Sequence, residues 1–442
     1  MGIKKRQVID VVTWIVRIIV GGVFIFSGLV KAVDPWGTLY KIEAYLGAMG
    51  LDIWPNLQLV AAFGLCGLEF ITGILILTGS LRRTIPVVGT VIMAFMLPLT
   101  LWIAIKNPVA DCGCFGDALI ISNWATFWKN VALTAGMVWL LIYNRRVHWL
   151  ITPALQWIGI LISCVFIVVI EMIGYVWQPL IDFRPYEVGE SLIDSDYEAE
   201  SPEFVFIYEK DGVEKEFKED DVLPDESEGW TFVDRKEIQG EKHESHSTTG
   251  KNLRIWDKDG NEDVTEEAIS ESGKELIVMM PVLRAVSPAT TWKLNSLYEW
   301  SLKNNVKMIA VVSGSQKEIT DWEDLSMASY PIYTADDTQI KEVVRGNPGI
   351  VYLENGKVVW KSTLAAIDID DFMLPGTSSD ARTFASNNLS ILRNLEAIYL
   401  TMLVVLVFLS FTPTFKKYYL KVATRGGKVR REESSSPDTP AQ

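Results

Sequence analysis

Six long apolar runs constrain the fold of this 442-residue chain more than any other feature of its sequence. The first begins VVTWIVRIIVGGVFIFSGLV at residue 11 and is close to the ~20 residues that cross ~30 Å of hydrocarbon. Because the bilayer core offers no water to backbone groups, each run is expected to form an α-helix. The predicted spans are 11–32, 58–79, 84–105, 124–143, 153–177 and 394–412.

Charge and cysteine content narrow the class of protein. The net charge of −14 belongs mostly to the polar section between the fifth and sixth spans. It argues against nucleic acid as a partner, since a phosphate backbone would be repelled. Only four cysteines are present and none follows Cys164, which excludes a disulfide-rich scaffold. The sequence therefore predicts a membrane protein, in contact with the lipid bilayer, that carries an acidic domain outside it.

Clusters of basic residues near the ends of the spans all fall on one side of the predicted bundle. By the positive-inside rule this side is cytoplasmic, so both termini are predicted to be cytoplasmic. The membrane is predicted to be the inner membrane of a bacterium. The loop at 111–117 and the region 178–393 are then periplasmic, where disulfides persist. The basic clusters are Lys4, Lys5 and Arg6; Arg82 and Arg83; Arg145 and Arg146; and Lys416, Lys417, Lys421, Arg425, Lys428, Arg430 and Arg431.

The loop between the third and fourth spans, DCGCFGD at 111–117, holds two closely spaced thiols. If Cys112 and Cys114 pair with each other, the ring is small and strained, and strain raises the reduction potential. That property suits an exchangeable disulfide better than a structural one. The other interpretation is a loop whose cysteines are incidental or bind a metal. Cys66 and Cys164 lie inside apolar spans and are interpreted as small buried apolar side chains.

Ionisable residues within the spans are candidates for a supporting role, because a charge at mid-membrane is costly and usually has a partner. By rise per residue, Arg17 lies ~10 Å and Glu69 ~15 Å from the inner ends of their spans, so the two are predicted to pair. Such a pair either fixes the bundle or takes part in proton or quinone chemistry. Lys31 and Lys129 lie level with the cysteine loop. Each either lowers a thiol pKa or extends to the lipid headgroups, the second being favoured.

After the fifth span the pattern changes from apolar helices to strands. The run PEFVFIYEKDGVEKEF, at 202–217, predicts two strands around an Asp-Gly turn. His243 and His246 have no third metal ligand placed by any pattern, so a solvated loop is predicted there and no metal site. Residues 275–365 alternate strands with helices, which predicts a parallel core closed by a hairpin.

These patterns predict seven segments along the chain. They are a four-helix transmembrane module (1–146), a fifth transmembrane helix (147–178), an acidic β-rich segment (179–274), an α/β domain (275–370), a linker (371–393), a sixth transmembrane helix (394–413) and a basic, then disordered, tail (414–442).

The first third of the chain resembles a known family of membrane proteins. The motifs FIFSGLVKAVDP, GLEFITGILILTG and above all DCGCFGDAL are similar to the methylamine-utilisation protein E (MauE) family, close to the DoxX-like membrane proteins. This resemblance implies a four-helix membrane module linked to maturation of a periplasmic partner, by processing, export or disulfide formation. It also implies Cys112 and Cys114 as the candidate redox element, with Arg17, Lys31 and Glu69 at matching positions.

Residues 275–365 resemble thioredoxin-like domains. Asn347-Pro348-Gly349, before the strand GIVYL, looks like the cis-proline element of that fold; a trans turn is the alternative. Where the family has Cys-x-x-Cys, this chain has Pro-Val-Leu-Arg-Ala-Val-Ser-Pro, so the domain has no dithiol with which to perform exchange itself. Pro348 remains a candidate for binding a partner, unless the domain is purely structural.

Two functions follow from these observations. The first is a membrane thiol/disulfide oxidoreductase, in which Cys112 and Cys114 exchange with a periplasmic client protein and pass electrons to an acceptor in the bilayer. No quinone or flavin motif is visible, so a quinone is only one candidate acceptor. The second is a non-catalytic scaffold or assembly factor whose degenerate outer domain binds a partner. Transport through the bundle, based on Arg17, Glu69 and Glu171, is the weakest interpretation.

Overall fold

A computed structural model gives the architecture of most of the chain. It describes residues 3–51, 53–108, 112–193, 204–210, 213–218, 231–237, 253–370, 388–412 and 417. Asp111, the Asp-Gly turn at 211–212, His243, His246 and the tail from 418 onward lie outside the described residues.

Long helices account for the first half of the chain. In chain order the helices are α1 (Ile3–Val33), α2 (Pro35–Ala48), α3 (Pro55–Thr78), α4 (Ile85–Lys106), α5 (Asn123–Ile142), α6 (Gln156–Val176), α7 (Thr265–Ala268), α8 (Thr291–Lys303), α9 (Gln316–Ser326), α10 (Asp337–Val343) and α11 (Asn388–Phe411). Six of the described helices, α1, α3, α4, α5, α6 and α11, are long and apolar enough to cross a membrane. The six predicted spans are therefore confirmed.

Strands occupy the section between α6 and α11. They are β1 (Phe204–Lys210), β2 (Val213–Lys218), β3 (Thr231–Glu237), β4 (Lys274–Met280), β5 (Lys307–Val312), β6 (Ile332–Thr334), β7 (Gly349–Glu354) and β8 (Lys357–Thr363). The first three form an antiparallel sheet of order β2-β1-β3, which confirms the two strands predicted at 202–217. The other five form a sheet of order β6-β5-β4-β7-β8 in which β4, β5 and β6 are parallel. Two residues join the neighbours β7 and β8, which confirms the predicted parallel core closed by a hairpin.

The chain divides into two compact units. One consists of 1–184, 344–350 and 360–442, and the other of 185–343 and 351–359. The spanning helices therefore share a unit with the short segment before β7 and with the end of β8.

Within the helical unit, α1 and α3 pack backbone against backbone. A Cβ atom added to Gly28 would lie 2.4 Å from the backbone nitrogen of Phe70, and one added to Gly73 would lie 2.6 Å from that of Ile25. Residues without a side chain are what permits so close a crossing, an arrangement common between membrane helices. The α1–α3 pair is therefore the fixed centre on which the other spans pack.

Apolar clusters lie on both sides of the α1–α3 pair. On one side Val20 and Leu75 pack with Met93 of α4 and Met137 of α5. On the other, Phe70 packs with Phe166 of α6, whose ring stacks on Tyr399 of α11 at 4.2 Å between centroids. The four-helix group α1, α3, α4 and α5 thus has its own core, and α6 and α11 form a second layer.

Candidate functional site

Two glycines shape the loop between α4 and α5. Gly113 and Gly116 have φ angles of +57° and +55°, in the left-handed region that glycine adopts without strain. The resulting tight turn brings Cys112 and Cys114 side by side, with their Sγ atoms 2.8 Å apart. Both are free thiols.

Neighbouring helices hold the backbone of this turn. The Tyr45 hydroxyl of α2 donates to the carbonyl oxygen of Cys112. The Ser27 hydroxyl of α1 lies 2.8 Å from the carbonyl oxygen of Cys114 and 2.7 Å from Oε2 of Glu69. The turn is therefore tied to α2 at one cysteine and to α1 and α3 at the other. No sequence pattern indicated Ser27 or Tyr45.

The pKa values of the two thiols are shifted in opposite directions. The hydrogen bond with the Cys114 thiol lowers the pKa of Cys112 to about 6, and the positive charge of Lys129 acts in the same direction. The same contact, together with burial, raises the pKa of Cys114 well above its ordinary value. One proton shared between two touching sulfurs therefore stays on Cys114, and near neutral pH Cys112 is the thiolate.

Lys129 of α5 lies beneath the loop. Its Nζ is 4.1 Å from the centre of the Phe115 ring, a cation–π distance, and that buried ring packs edge-on against Phe26 of α1 at 5.3 Å between centroids. The favoured prediction for Lys129, extension to the headgroups, is therefore wrong. The alternative, a position beside the thiols, is what the geometry supports, because the aromatic ring of the loop attracts the ammonium inward.

Lys31 forms a buried ion pair with Glu69. Its Nζ lies 2.8 Å from both carboxylate oxygens, and the two side chains are only 6% and 8% exposed. Lys31 is therefore not extended to the headgroups, and the predicted Arg17–Glu69 pair is wrong. A carboxylate buried between two helices is stabilised by the nearest cation that reaches it, and the Lys31 side chain does so from the end of α1.

Arg17 binds backbone instead. Its guanidinium donates to the carbonyl oxygens of Ile76 at 2.8 Å, Leu77 at 2.6 Å and His148 at 2.7 Å. The carbonyls in the last turn of a helix have no partner within it, so Arg17 caps α3. The predicted pairing assumed that both spans have their inner ends at one depth. Arg17 is in fact level with the end of α3, well away from Glu69.

A small cavity lined by both polar and apolar side chains lies under the thiols, inside the four-helix group. Its volume is about 30 Å³, enough for one or two water molecules. The polar side chains that line it are Cys114, Ser27, Lys31, Glu69, Lys129 and Asn130. The cavity thus connects the protonated thiol to the buried ion pair. In the described part of the chain, no group of three or more His, Cys, Asp or Glu side chains is placed to hold a metal ion.

Sequence reasoning missed Arg345. Its Nη2 atom lies 2.7 Å from a carboxylate oxygen of Asp34 and 2.7 Å from one of Asp117, the last residue of the DCGCFGD motif. No local pattern could have found it, because Arg345 is far in sequence from both Asp34 and Asp117. Two positions further on, the Asn347–Pro348 bond is cis, as predicted, while partner binding at Pro348 remains a prediction.

Comparison with known proteins agrees with this geometry. The family model described as methylamine utilisation protein MauE matches residues 9–143, which contain the four-helix group and the thiol loop. A second model, described as a domain of unknown function (DUF8463), matches residues 202–242. No curated protein and no solved structure matches the chain. The resemblance predicted from the motifs is thus confirmed: the first third of this multi-pass membrane protein is similar to the MauE family.

Proposed function

We propose that this protein is a membrane-bound thiol–disulfide oxidoreductase whose Cys112–Cys114 pair exchanges with a partner protein. The observation that carries the proposal is the pair itself. Two free thiols touch at 2.8 Å, one with a pKa of about 6 and the other with a raised pKa, above a partly polar cavity. Two cysteines without a chemical role would not need one thiol with a lowered pKa and the other with a raised pKa.

The proposed exchange begins with Cys112 and Cys114 joined as a disulfide. A client thiolate attacks the Cys112 sulfur, the Cys112–Cys114 bond breaks, and Cys114 leaves and takes up a proton. A second client thiolate then attacks the client sulfur of the mixed disulfide and releases Cys112 as a thiolate. The client loses two electrons and gains a disulfide, while the pair becomes one thiolate and one thiol. A low thiol pKa makes Cys112 a good leaving group and stabilises the reduced pair, so the pair acts as an oxidant.

The cavity supports the proton step. Cys114 lines the same space as Lys31 and Glu69, and water within it is able to deliver the proton that the departing Cys114 sulfur takes up. Restoring the disulfide removes two electrons and the proton again. This needs a two-electron acceptor, for which we propose a membrane-soluble compound of the quinone class, because the site lies within the span-forming helices.

The proposed function also includes an orientation in the membrane and a region that binds the client. The thiol loop faces the periplasm of a bacterial inner membrane and both termini are cytoplasmic, supported by the basic clusters at the opposite span ends. The region from β4 to β8 is thioredoxin-like, supported by its parallel strands and by the cis Pro348 that precedes β7, and it binds the client without exchanging thiols. The matching family carries methylamine utilisation in its name, and we extend to this chain only a role in maturation of a partner protein.

The test is to trap the mixed disulfide in intact membranes by acid quench and alkylation. In Cys114→Ser, the Cys112 thiolate is still able to attack the disulfide of an oxidised client, which is the reverse of the second step and releases one client thiolate. The variant lacks the Cys114 sulfur that would then displace the client, so it is expected to accumulate a disulfide-linked adduct at Cys112. Cys112→Ser is expected to give none, and Cys164→Ser, which alters a free thiol in α6, is the matched control. Thiols that stay reduced under every redox treatment, without adduct, would favour the scaffold interpretation. A membrane-impermeant maleimide tests the side on which the pair lies.

A further inference from the structure

One buried arginine of the helical unit joins two carboxylates that flank the thiol loop. Arg345 directs Nε to both oxygens of Asp34, at 3.1 and 2.9 Å, and Nη2 to one oxygen of Asp34 and one of Asp117, each at 2.7 Å. The arginine side chain is 5% exposed, against 12% for Asp34 and 28% for Asp117. A planar guanidinium is the side chain that can satisfy both acids at once.

The arginine is itself fixed from two directions. Its backbone nitrogen donates to Oε1 of Gln178 at 3.1 Å, and Nε2 of Gln178 donates back to its carbonyl oxygen at 2.7 Å. Gly37 in the first turn of α2 leaves room for the ion pair, since a Cβ there would lie 2.6 Å from Asp34 and 3.1 Å from Nη2 of Arg345. Asp34 in turn caps α2 by accepting from the backbone nitrogen of Gly37 at 2.9 Å.

Asp117 connects the ion pair to the thiol loop. It lies in the short 3₁₀ turn Gly116–Ala118, which directly follows the two cysteines and Phe115. The hydrogen bonds that Tyr45 and Ser27 make to backbone carbonyls of the loop are neutral. The bond from Arg345 to Asp117 is charge-assisted and largely buried, and is therefore the stronger restraint.

We propose that Arg345 is a positioning residue of the thiol loop, which binds Asp117 against Asp34 and so keeps Cys112 and Cys114 side by side. Its consequence for exchange rests on the proposed function, but the thiol geometry is measurable without any partner. Removing the guanidinium leaves two facing carboxylates that repel each other. Asp117 then turns to solvent and the contact between the two sulfurs loosens.

Thiol titration reports this contact. The charged or titratable groups around the two thiols come from the loop and from four helices. They are Asp117 in the loop, Lys31 from α1, Lys41 and Tyr45 from α2, Glu69 from α3 and Lys129 from α5. Arg345→Gln leaves the lysines in place, so a change in Cys112 titration reports the sulfur contact and the freed carboxylate. Both act in one direction: a weaker contact and an unpaired Asp117 each disfavour the thiolate.

The experiment measures the rate of Cys112 alkylation by iodoacetamide against pH in the full-length protein in lipid nanodiscs, with the modified site assigned by mass spectrometry. Arg345→Gln is expected to move the half-maximal pH upward by one unit, which lowers the rate at pH 6 about fivefold through the smaller thiolate fraction. Arg345→Lys is expected to restore only part of the shift. Arg254→Gln, which breaks the more exposed Arg254–Asp263 pair at 3.2 Å, changes the net charge equally and is the matched control.

Asp117→Asn provides a second variant in case Arg345→Gln fails to fold. It keeps the Arg345–Asp34 pair and frees the loop. The looser sulfur contact raises the half-maximal pH, while the lost carboxylate charge lowers it, so an upward shift smaller than that of Arg345→Gln is expected. A profile that does not move upward in folded Arg345→Gln or Asp117→Asn protein overturns the positioning role, whatever the trapping experiment shows. Conversely, a shifted profile with no client adduct in Cys114→Ser upholds the positioning role and removes the oxidoreductase.

Discussion

Helix α1 buries one cation near its middle and one near its thiol-facing end, and the two have different surroundings. Arg17 is 1% exposed and binds three backbone carbonyl oxygens, none of which titrates. Lys31 is 5% exposed and binds the carboxylate of Glu69 at the edge of a cavity that also contains a thiol. Burial alone does not distinguish a structural charge from a functional one. The chemistry of the partner does, and by that criterion the thiol end of α1 is the functional end.

The largest expected effect comes from breaking the ion pair. Lys31→Met leaves Glu69 buried without a counter-charge, which should lower the free energy of unfolding by about 3–5 kcal/mol. Lys31→Met combined with Glu69→Gln removes both charges and should recover most of that loss. The measurement is reversible unfolding in mixed micelles, followed by helical circular dichroism. Equal losses in the single and double variants would contradict a pairwise interaction.

A smaller loss of stability is expected at Arg17, near the middle of α1. Arg17→Met removes three hydrogen bonds to carbonyl oxygens, but no carboxylate is left behind, so a loss of about 2 kcal/mol is expected in the same unfolding assay. The pH profile of Cys112 alkylation should match wild type in this variant. A shifted profile would show that Arg17 is coupled to the thiols and would remove the contrast between the two buried cations.

The smallest effect is expected at Lys129. Its positive charge favours the Cys112 thiolate, so Lys129→Gln should raise the Cys112 pKa above about 6 by less than one unit. The sign follows directly: at a pH near 6 fewer Cys112 sulfurs are ionised, and alkylation slows. Lys106→Gln, at an exposed lysine in the last turn of α4, is the control. An unchanged profile would assign the low pKa to Cys114 alone.

The sequence predicted the elements of this fold better than their contacts. Hydropathy and length were enough to find six spans, because each span is a local property of some 20 residues. The local motif DCGCFGD also identified Cys112 and Cys114 as candidates. The rise per residue, however, gives only the position of a residue along its own helix. It does not give the offset between two helices or the direction of a side chain, and for this reason Glu69 was wrongly paired with Arg17. The bond from Arg345 to Asp117 joins residues 228 positions apart and has no local pattern at all.

The close crossing of α1 and α3 has a consequence for the environment of the thiols. Gly28 and Gly73 put the two main chains in direct contact, so the separation of these helices is set by backbone atoms, which do not change rotamer. Ser27 and Lys31 on one helix and Glu69 on the other are carried by that crossing. The electrostatic field at Cys114 should therefore be insensitive to bilayer thickness and lipid composition, as long as no side chain separates the two helices.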